Sequence, residues 1–281
     1  MTHIVTILSS KGGVGKTTTA VQLAGALAGE QAVLLVDADP QCSASKALGS
    51  TAAPRLALGE LLEQPGAGLA QGVVSLPNRE RFALLPGDPS LMDRREGLER
   101  QLARESILRD VIEEERAASR GNGLPYDWVI VDVPPDLGIF AVNALVASQW
   151  YLVPVQTEFL AMAEIERTLK FAEQVRKRLN KPLQLLGLLP TQYDARTDMS
   201  RQSLLSLRER YGERVFDTVI PRSTSLAKAS QAGEILAAAA RPTPAGAAYA
   251  ALASEARARV SGLDRCAKSA PTSGQGSSGS A

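Results

Sequence analysis

The stretch SSKGGVGKTT at residues 9–18 lies between the apolar run IVTIL at 4–8 and the Ala-rich stretch TAVQLAGALA at 19–28. The apolar run is typical of a buried strand, and the Ala-rich stretch is typical of a helix. A Gly-rich loop between a strand and a helix is the setting of a phosphate-binding loop. The sequence therefore predicts that this loop binds the phosphates of a nucleotide.

The residues of this loop suit a polyphosphate such as that of ATP. Glycine lets backbone N–H groups turn inward around an anion, and the helix N-terminus adds a partial positive charge. We expect Lys16 to reach the β- and γ-phosphates and the Thr17 hydroxyl to ligate Mg²⁺. The predicted nucleotide contacts in the loop are Lys11, Gly12, Gly13, Val14, Gly15, Lys16, Thr17 and Thr18.

Acidic residues follow two other apolar runs. Asp37 and Asp39 come after VLLV at 33–36, and Asp132 comes after WVIV at 128–131. Open α/β sheets place their ligands at the carboxyl ends of the strands. We therefore expect Asp37 and Asp132 to belong to the Mg²⁺ site, with Asp132 acting through a water. A capping or turn role for Asp37 and Asp39 is the alternative.

The composition excludes several classes of protein. The 281 residues have a net charge of +1, one histidine, His3, and two cysteines, Cys42 and Cys266, without CxxC spacing. We therefore expect no histidine-based triad, no cysteine-ligated metal cluster and no disulfide framework. No apolar run reaches about 18 residues, and the chain begins directly in a predicted strand. These features predict a cytoplasmic protein that has no membrane span.

Apolar runs of strand length alternate with helical stretches along the chain. The predicted strands lie at 4–8, 33–36, 81–87, 128–131, 150–156, 183–189 and 215–222, and the last predicted helix lies near 245–260. This alternation is typical of an α/β domain. We predict a single doubly wound, mostly parallel sheet flanked by helices over residues 1–263. A disordered Ser/Gly-rich tail is predicted at 264–281.

The phosphate loop departs from the ordinary pattern G-x-x-x-x-G-K-S/T. Ser10 stands where the pattern has glycine, and a second lysine, Lys11, comes early in the loop. This variant resembles the deviant Walker A box of the ParA/Soj/MinD family of P-loop ATPases. The resemblance extends over roughly residues 3–260. It implies a P-loop NTPase fold and an early lysine that crosses a dimer interface to the partner subunit's phosphates.

Two further stretches are similar to the switch regions of that family. DADPQ at 37–41 resembles the first switch, which implies that Asp39 orients the attacking water and that Asp37 supports it and the metal shell. DVPPDLG at 132–138 resembles the second switch, although the family usually has a small hydroxyl residue at the position of Asp136. The catalytic residues that the resemblance implies are Lys11, Lys16 and Asp39.

The region 190–230 also resembles the family. The loop near the Pro-Arg pair lies by the adenine there, so Pro221 joins the predicted nucleotide contacts. The region has seven Arg or Lys against five Asp or Glu. Arg196, Arg222 and Lys228 are the candidate DNA contacts, and a mixed solvated face is the alternative.

Within the family, the chain is most similar to the short, Soj-like ParA partition proteins. It has neither the basic amphipathic C-terminal helix of MinD-like membrane ATPases nor cysteines placed to bridge a cluster between subunits. The resemblance implies slow, partner-stimulated ATP hydrolysis, a homodimer in the ATP state and non-specific binding to double-stranded DNA. A ParB-like activator, segregation of a chromosome or plasmid, and association with the nucleoid are implied in the same way.

Two other functions stay open at this point. One is a ParA-like ATPase that positions a protein cargo. The other, less favoured, is a P-loop amide ligase or synthetase similar to the cobyric-acid or dethiobiotin enzymes. Turnover that depends on a second small substrate would identify a ligase.

Overall fold

One sheet forms the centre of the protein. The computed structural model describes residues 2–50, 52–64, 66–77, 79–119, 123–158, 162–238 and 242–269. Within these residues the sheet has seven strands, β1 (His3–Ile7), β2 (Val33–Asp37), β3 (Val74–Ser75), β4 (Phe82–Leu85), β5 (Trp128–Asp132), β6 (Trp150–Gln156) and β7 (Gln184–Thr191). Their order is β3-β4-β2-β5-β1-β6-β7, and only β3 is antiparallel to its neighbour. The predicted doubly wound, mostly parallel sheet is confirmed.

Helices cover both faces of this sheet. The helices of the described residues are α1 (Lys16–Leu27), α2 (Ser43–Ala47), α3 (Leu58–Glu63), α4 (Leu91–Arg100), α5 (Ile107–Ala118), α6 (Ile139–Ala147), α7 (Met162–Arg178), α8 (Asp198–Tyr211), α9 (Thr224–Ala232) and α10 (Pro244–Ser269). One core joins Leu34 of β2 to helices α3 to α7. The other core joins Leu35, on the opposite face of β2, to α1, α2 and α10. Two cores on opposite faces explain why the strands are apolar on both sides.

The central strands bring the predicted site residues to one edge. β1 lies between β5 and β6, and its pairing with β5 sets Ile7 beside Asp132. The pairing of β2 with β5 sets Asp37 beside Asp132. Because these strands are parallel, their carboxyl ends meet where the chain leaves β1 for the Gly-rich loop. This edge is where open α/β sheets bind ligands.

The stretch 215–222 does not form the predicted strand. Two isolated bridges, at Val215 and Pro221, join it to β7 and the loop that follows β7. Glu255 of α10 accepts two backbone N–H groups between the bridges, each at 2.9 Å, and Arg259 donates to the Val215 carbonyl at 2.7 Å. The strand prediction is wrong here because side chains of α10 satisfy backbone groups that a ladder would otherwise pair.

Helix α10 extends past its predicted end, to Ser269. Residues 264–269 are therefore helical, although the sequence places them in the tail. The disorder of the tail stays a prediction for 270–281, which lie outside the described residues. Among the residues that are described, none of the helices combines the length and the apolar character needed to cross a bilayer.

Candidate active site

The Gly-rich loop runs from the end of β1 to the start of α1. Gly13 has a φ of +75° and Gly15, which caps α1, has a φ of +92°. These left-handed conformations favour glycine because a Cβ would crowd the residue's own backbone. Apart from the glycine itself and its chain neighbours, a Cβ built on Gly12, Gly13 or Gly15 would meet no described atom within 4 Å, so the space over the loop is open. The loop has the form that the sequence predicts for a phosphate cradle.

Lys16 is the first residue of α1, and its side chain curls back over the loop. Its Nζ donates to the carbonyl oxygen of Lys11 at 3.0 Å, and the residue is only 7% exposed. Burial lowers the pKa of Lys16, while the nearby carboxylates of Asp132 and Asp39 act in the opposite direction. The ammonium is thus held at the loop, close to two acidic side chains, in a position to meet a phosphate group.

Asp37 and Asp132 form a buried pair of carboxyl groups at the ends of β2 and β5. Both residues are fully buried. Oδ2 of Asp37 accepts hydrogen bonds from the Ser45 backbone N–H at 2.8 Å and from its hydroxyl at 2.7 Å. Oδ1 of Asp37 and both oxygens of Asp132 have no hydrogen-bond partner within 3.5 Å among the described residues. The Thr17 side chain nevertheless lies close enough to Asp132 to act against the rise in its pKa. Burial and the neighbouring Asp37 raise the pKa of Asp132 to about 8, and burial also raises the pKa of Asp37.

These unpartnered oxygens fit a magnesium site. Buried carboxylate oxygens without partners are costly, and Mg²⁺ prefers oxygen ligands while keeping several waters. Asp37, Asp132 and the Thr17 hydroxyl are therefore the residues that would hold it. Within the described part of the chain, no group of three or more His, Cys, Asp or Glu side chains could hold a metal ion. A Mg²⁺ ion is usually held by one or two carboxylates together with nucleotide phosphates.

Asp39 follows β2 and is also buried. Its Oδ1 accepts the Gln41 backbone N–H at 2.8 Å, which is an Asx turn. The turn role left open by the sequence is therefore present in the structure. Because only one carboxylate oxygen is used in this turn, the residue retains a second oxygen for another partner.

The Lys11 side chain faces α7. Its Nζ is 3.9 Å from Oε2 of Glu164 on α7, and its side chain is 29% exposed. The neighbouring Ser10 also contacts α7, since its backbone N–H donates to the Thr168 hydroxyl at 3.2 Å. Of the two loop lysines, Lys16 is bonded to the loop backbone and Lys11 is paired with a helix.

Asp136, the unusual residue of the second switch-like stretch, pairs with Arg95 of α4 at 3.1 Å. Arg95 also pairs with Glu99 at 3.0 Å. The extra carboxylate at position 136 thus has an arginine partner. Sequence reasoning missed both Arg95 and Glu164, because each lies far along the chain from the residue it contacts and neither belongs to a motif.

The candidate DNA residues are exposed, and two of them are paired. Arg196 makes a bidentate pair with Asp194, at 2.9 and 2.7 Å, which lowers the pKa of that carboxyl group. Arg222 pairs with Glu158, and its backbone N–H donates to Tyr193 close to the bridge formed by Pro221. Lys228 lies exposed on α9.

Comparisons with known proteins show which family this chain resembles. A family model described as an AAA domain matches residues 2–185. The chain is 40% identical over 259 residues to the chromosome-partitioning ATPase Soj of Thermus thermophilus, covering 91% of this chain and 96% of that protein. It is 36% identical over 236 residues to the chromosome partitioning protein ParA of Caulobacter vibrioides, covering 83% and 85%.

A solved structure is similar over nearly the whole chain. It is that of cobyrinic acid a,c-diamide synthase from Mycobacterium smegmatis with bound ADP and magnesium. The TM-score is 0.73 and the identity 32%, with 96% of this chain and 97% of that chain covered. The same synthase is also solved with an ATP analogue and magnesium.

This chain has the fold of a P-loop ATPase, a class of protein that uses ATP and Mg²⁺. The evidence for this class is the sheet order, the loop between β1 and α1 and the acids at the neighbouring strand ends. Among such proteins, this chain belongs to the ParA/Soj/MinD family. The family resemblance and the nucleotide and magnesium predictions are confirmed at this level. The roles of the individual residues stay predictions.

The buried pair of acids predicts a pH-dependent gain of stability in Asp132→Asn. Asp132 has a pKa of about 8 in the folded protein, against an ordinary value of 3.8, so the folded state retains a proton that the unfolded chain releases. The contribution of Asp132 to the free energy of unfolding should therefore fall as pH rises from about 4 to about 8. Asparagine has no proton to lose, so the variant should be more stable at pH 8, by an upper estimate on the order of 5 kcal/mol.

Urea denaturation between pH 5 and pH 8, with a chelator and without nucleotide, checks this prediction. The advantage of Asp132→Asn should shrink to about 1–2 kcal/mol at pH 5. Adding Mg²⁺ and ATP should stabilise the wild type more than the variant. A stability difference between Asp132→Asn and the wild type that is constant over this pH range would contradict the raised pKa of Asp132.

Proposed function

We propose that this chain is a ParA-type ATPase that dimerises on ATP, binds double-stranded DNA non-specifically and segregates a chromosome or plasmid with a ParB-like partner. The observation that carries the proposal is the division between the two loop lysines. Lys16 lies against its own loop, whereas the Lys11 side chain is partly exposed and, in the part of the chain that the structure describes, pairs with Glu164. A second cation at the rim of a phosphate cradle suits contact with the nucleotide of a facing subunit. Similarity to Soj and ParA over most of both chains supports the same proposal.

The proposed chemistry is in-line hydrolysis of ATP between two subunits. Lys16 and the loop amides hold the phosphates, and Lys11 of the partner neutralises negative charge that develops on the γ-phosphate. Asp39 positions the attacking water through the carboxylate oxygen that its Asx turn leaves unused. Bound Mg²⁺, held by Thr17, Asp37 and Asp132, would supply further positive charge. Hydrolysis is slow in the isolated protein because a loose transition state needs all these charges placed together.

The proposed DNA surface uses Arg196, Arg222 and Lys228. Binding to phosphate requires the two arginines to share or leave their carboxylate partners, Asp194 and Glu158. This competition limits the affinity of one subunit. Dimerisation doubles the number of basic side chains and so couples DNA binding to ATP. The ParB-like partner would complete the placement of catalytic charge, and hydrolysis would release the DNA.

DNA binding in the ATP state should be steeply dependent on salt. Three contacts in each of two subunits give six phosphate contacts, so the affinity should fall about a thousandfold between about 50 and 200 mM salt. Arg222→Ala should weaken binding and reduce the salt slope. The matched control is Arg176→Ala, which removes a partly exposed arginine that is paired within α7. A flat salt dependence, or equal effects of both variants, would contradict the proposed surface.

ATP hydrolysis with and without double-stranded DNA, together with a DNA mobility assay in ATP and in ADP, tests the function. A shift in ATP only, with slow turnover that responds to DNA, is the expected result. The absence of a DNA shift in every nucleotide state would reject the segregation proposal. In that case a protein-cargo ATPase becomes the better hypothesis, and co-purification with its cargo in ATP tests that function.

A ligase is the second candidate because the similar solved structure is named as a diamide synthase. If the chain is a ligase, ATP would activate a carboxyl group of a corrinoid acid for amide formation. Turnover measured with cobyrinic acid and an ammonia donor, in place of DNA, distinguishes the two. Substrate-dependent ADP release that DNA does not affect would favour the ligase.

A further inference from the structure

Gln192, the residue that follows β7, has an unusual backbone conformation. Its φ is +54°, in the left-handed region that residues with a Cβ seldom adopt. Its side-chain Nε2 donates to the carbonyl oxygen of Gly13 in the phosphate loop at 2.6 Å. Its Oε1 accepts a hydrogen bond from Nε2 of Gln156, at the end of β6, at 3.0 Å. The amide group is thus fixed at both ends.

The preceding residue contacts the same loop. Thr191, buried at the end of β7, donates from its hydroxyl to the carbonyl oxygen of Val14 at 2.8 Å. Two adjacent residues therefore hold two consecutive carbonyl groups of the phosphate loop. The donors of both contacts, Thr191 and Gln192, lie outside the phosphate loop.

The direction of these carbonyl groups matters for an anion. A peptide unit is planar and trans, so its C=O and the following N–H point in opposite directions. Holding the Gly13 carbonyl fixes the N–H of Val14, and holding the Val14 carbonyl fixes the N–H of Gly15. A carbonyl oxygen turned inward would instead repel a phosphate.

We propose that Thr191 and Gln192 are positioning residues for the nucleotide. They hold two loop carbonyls away from the phosphate side, so that the amides of Val14 and Gly15 face the bound phosphates before ATP arrives. The strained backbone at Gln192 persists because its side chain is held by both the loop and β6. The proposal concerns ATP binding alone and stands whether or not the chain binds DNA.

The substitutions Q192G and Q192L separate the side chain from the backbone. Glycine adopts a φ of +54° readily, so Q192G removes the amide and relieves the backbone at once. Leucine keeps the Cβ and a similar volume but cannot donate to Gly13. Titration calorimetry with ADP and with ATP, each with Mg²⁺, should show binding about three- to tenfold weaker in both variants. The Tm of nucleotide-free Q192G should not fall below that of the wild type.

Kinetics and a second site complete the test. KM for ATP should rise by the same factor, because in the variants part of the binding free energy is used to orient the loop. The value of kcat should stay within about twofold, because the reacting groups are unchanged. T191V, which removes the other donor, should weaken ADP binding similarly. The control is Q202L, on the exposed face of α8. Wild-type ADP affinity in Q192G would overturn the proposal, as would a loss in Q192L that Q192G does not share.

Discussion

Replacing Lys16 with alanine should weaken ATP binding at least about 100-fold, because a buried cation that contacts a phosphate is worth several kcal/mol when it is removed. Lys16 is nearly buried, and its ammonium already lies at the loop, 3.0 Å from the Lys11 carbonyl. The substitution removes both this charge and the hydrogen bond to the loop carbonyl. Titration with ATP and Mg²⁺ by calorimetry or a fluorescent nucleotide measures the effect.

The matched control for this variant is Lys177→Ala. Lys177 is an exposed lysine on α7 that pairs with Glu173 at 3.4 Å, so its loss should leave ATP affinity unchanged. Because turnover requires binding, Lys16→Ala should also have no measurable ATPase activity. ATP affinity within about threefold of the wild type would contradict the assignment of Lys16 to the phosphates.

Replacing Asp39 should separate binding from turnover. Asp39→Ala should bind ATP and dimerise like the wild type, while kcat falls about 10²- to 10⁴-fold, as expected when a group that positions or activates water is lost. ATP affinity and the oligomeric state in ATP are measured first, and single-turnover hydrolysis is measured next. Normal turnover in this variant would refute the catalytic assignment.

Asp39→Asn distinguishes the water-positioning role from the turn. Asparagine retains an oxygen that can accept the Gln41 N–H, so the Asx turn survives and only the charge is lost. We expect Asp39→Asn to be as inactive as Asp39→Ala. If Asp39→Asn instead hydrolyses ATP normally, the residue acts through the turn. Asp93→Asn, on the exposed first turn of α4, serves as the control.

The local motifs predicted most of the fold and of the site. The conformation of the loop at 9–18 depends on residues that are neighbours in the chain. Gly13 and Gly15 have positive φ values there, and Lys16 is the first residue of α1. The pairing of Asp37 with Asp132 followed from two strands ending in acids, because parallel strands bring their carboxyl ends together. The sequence also left open a turn role for Asp39, and the structure contains that turn.

Contacts between distant segments could not be predicted. The contacts of Glu164 with Lys11 and of Arg95 with Asp136 depend on how α7 and α4 pack. The hydrophobic periodicity of the sequence does not predict that packing. The failed strand at 215–222 has the same origin. Its residues are apolar enough for a strand, but Glu255 of α10 accepts two of its backbone N–H groups and Arg259 donates to its Val215 carbonyl.

We propose that two copies of this chain build each hydrolytic site, with Lys11 supplied across the interface. Mixing inactive Lys11→Ala with inactive Asp39→Ala in ATP, Mg²⁺ and double-stranded DNA tests it directly. In a mixed dimer, one site would have an intact Asp39 and receive an intact Lys11 from the other subunit. Random pairing at equal concentrations should then restore about a quarter of the wild-type rate. If Lys11 acts within its own subunit, every site lacks one residue, and a mixture with no more activity than its components would contradict the account.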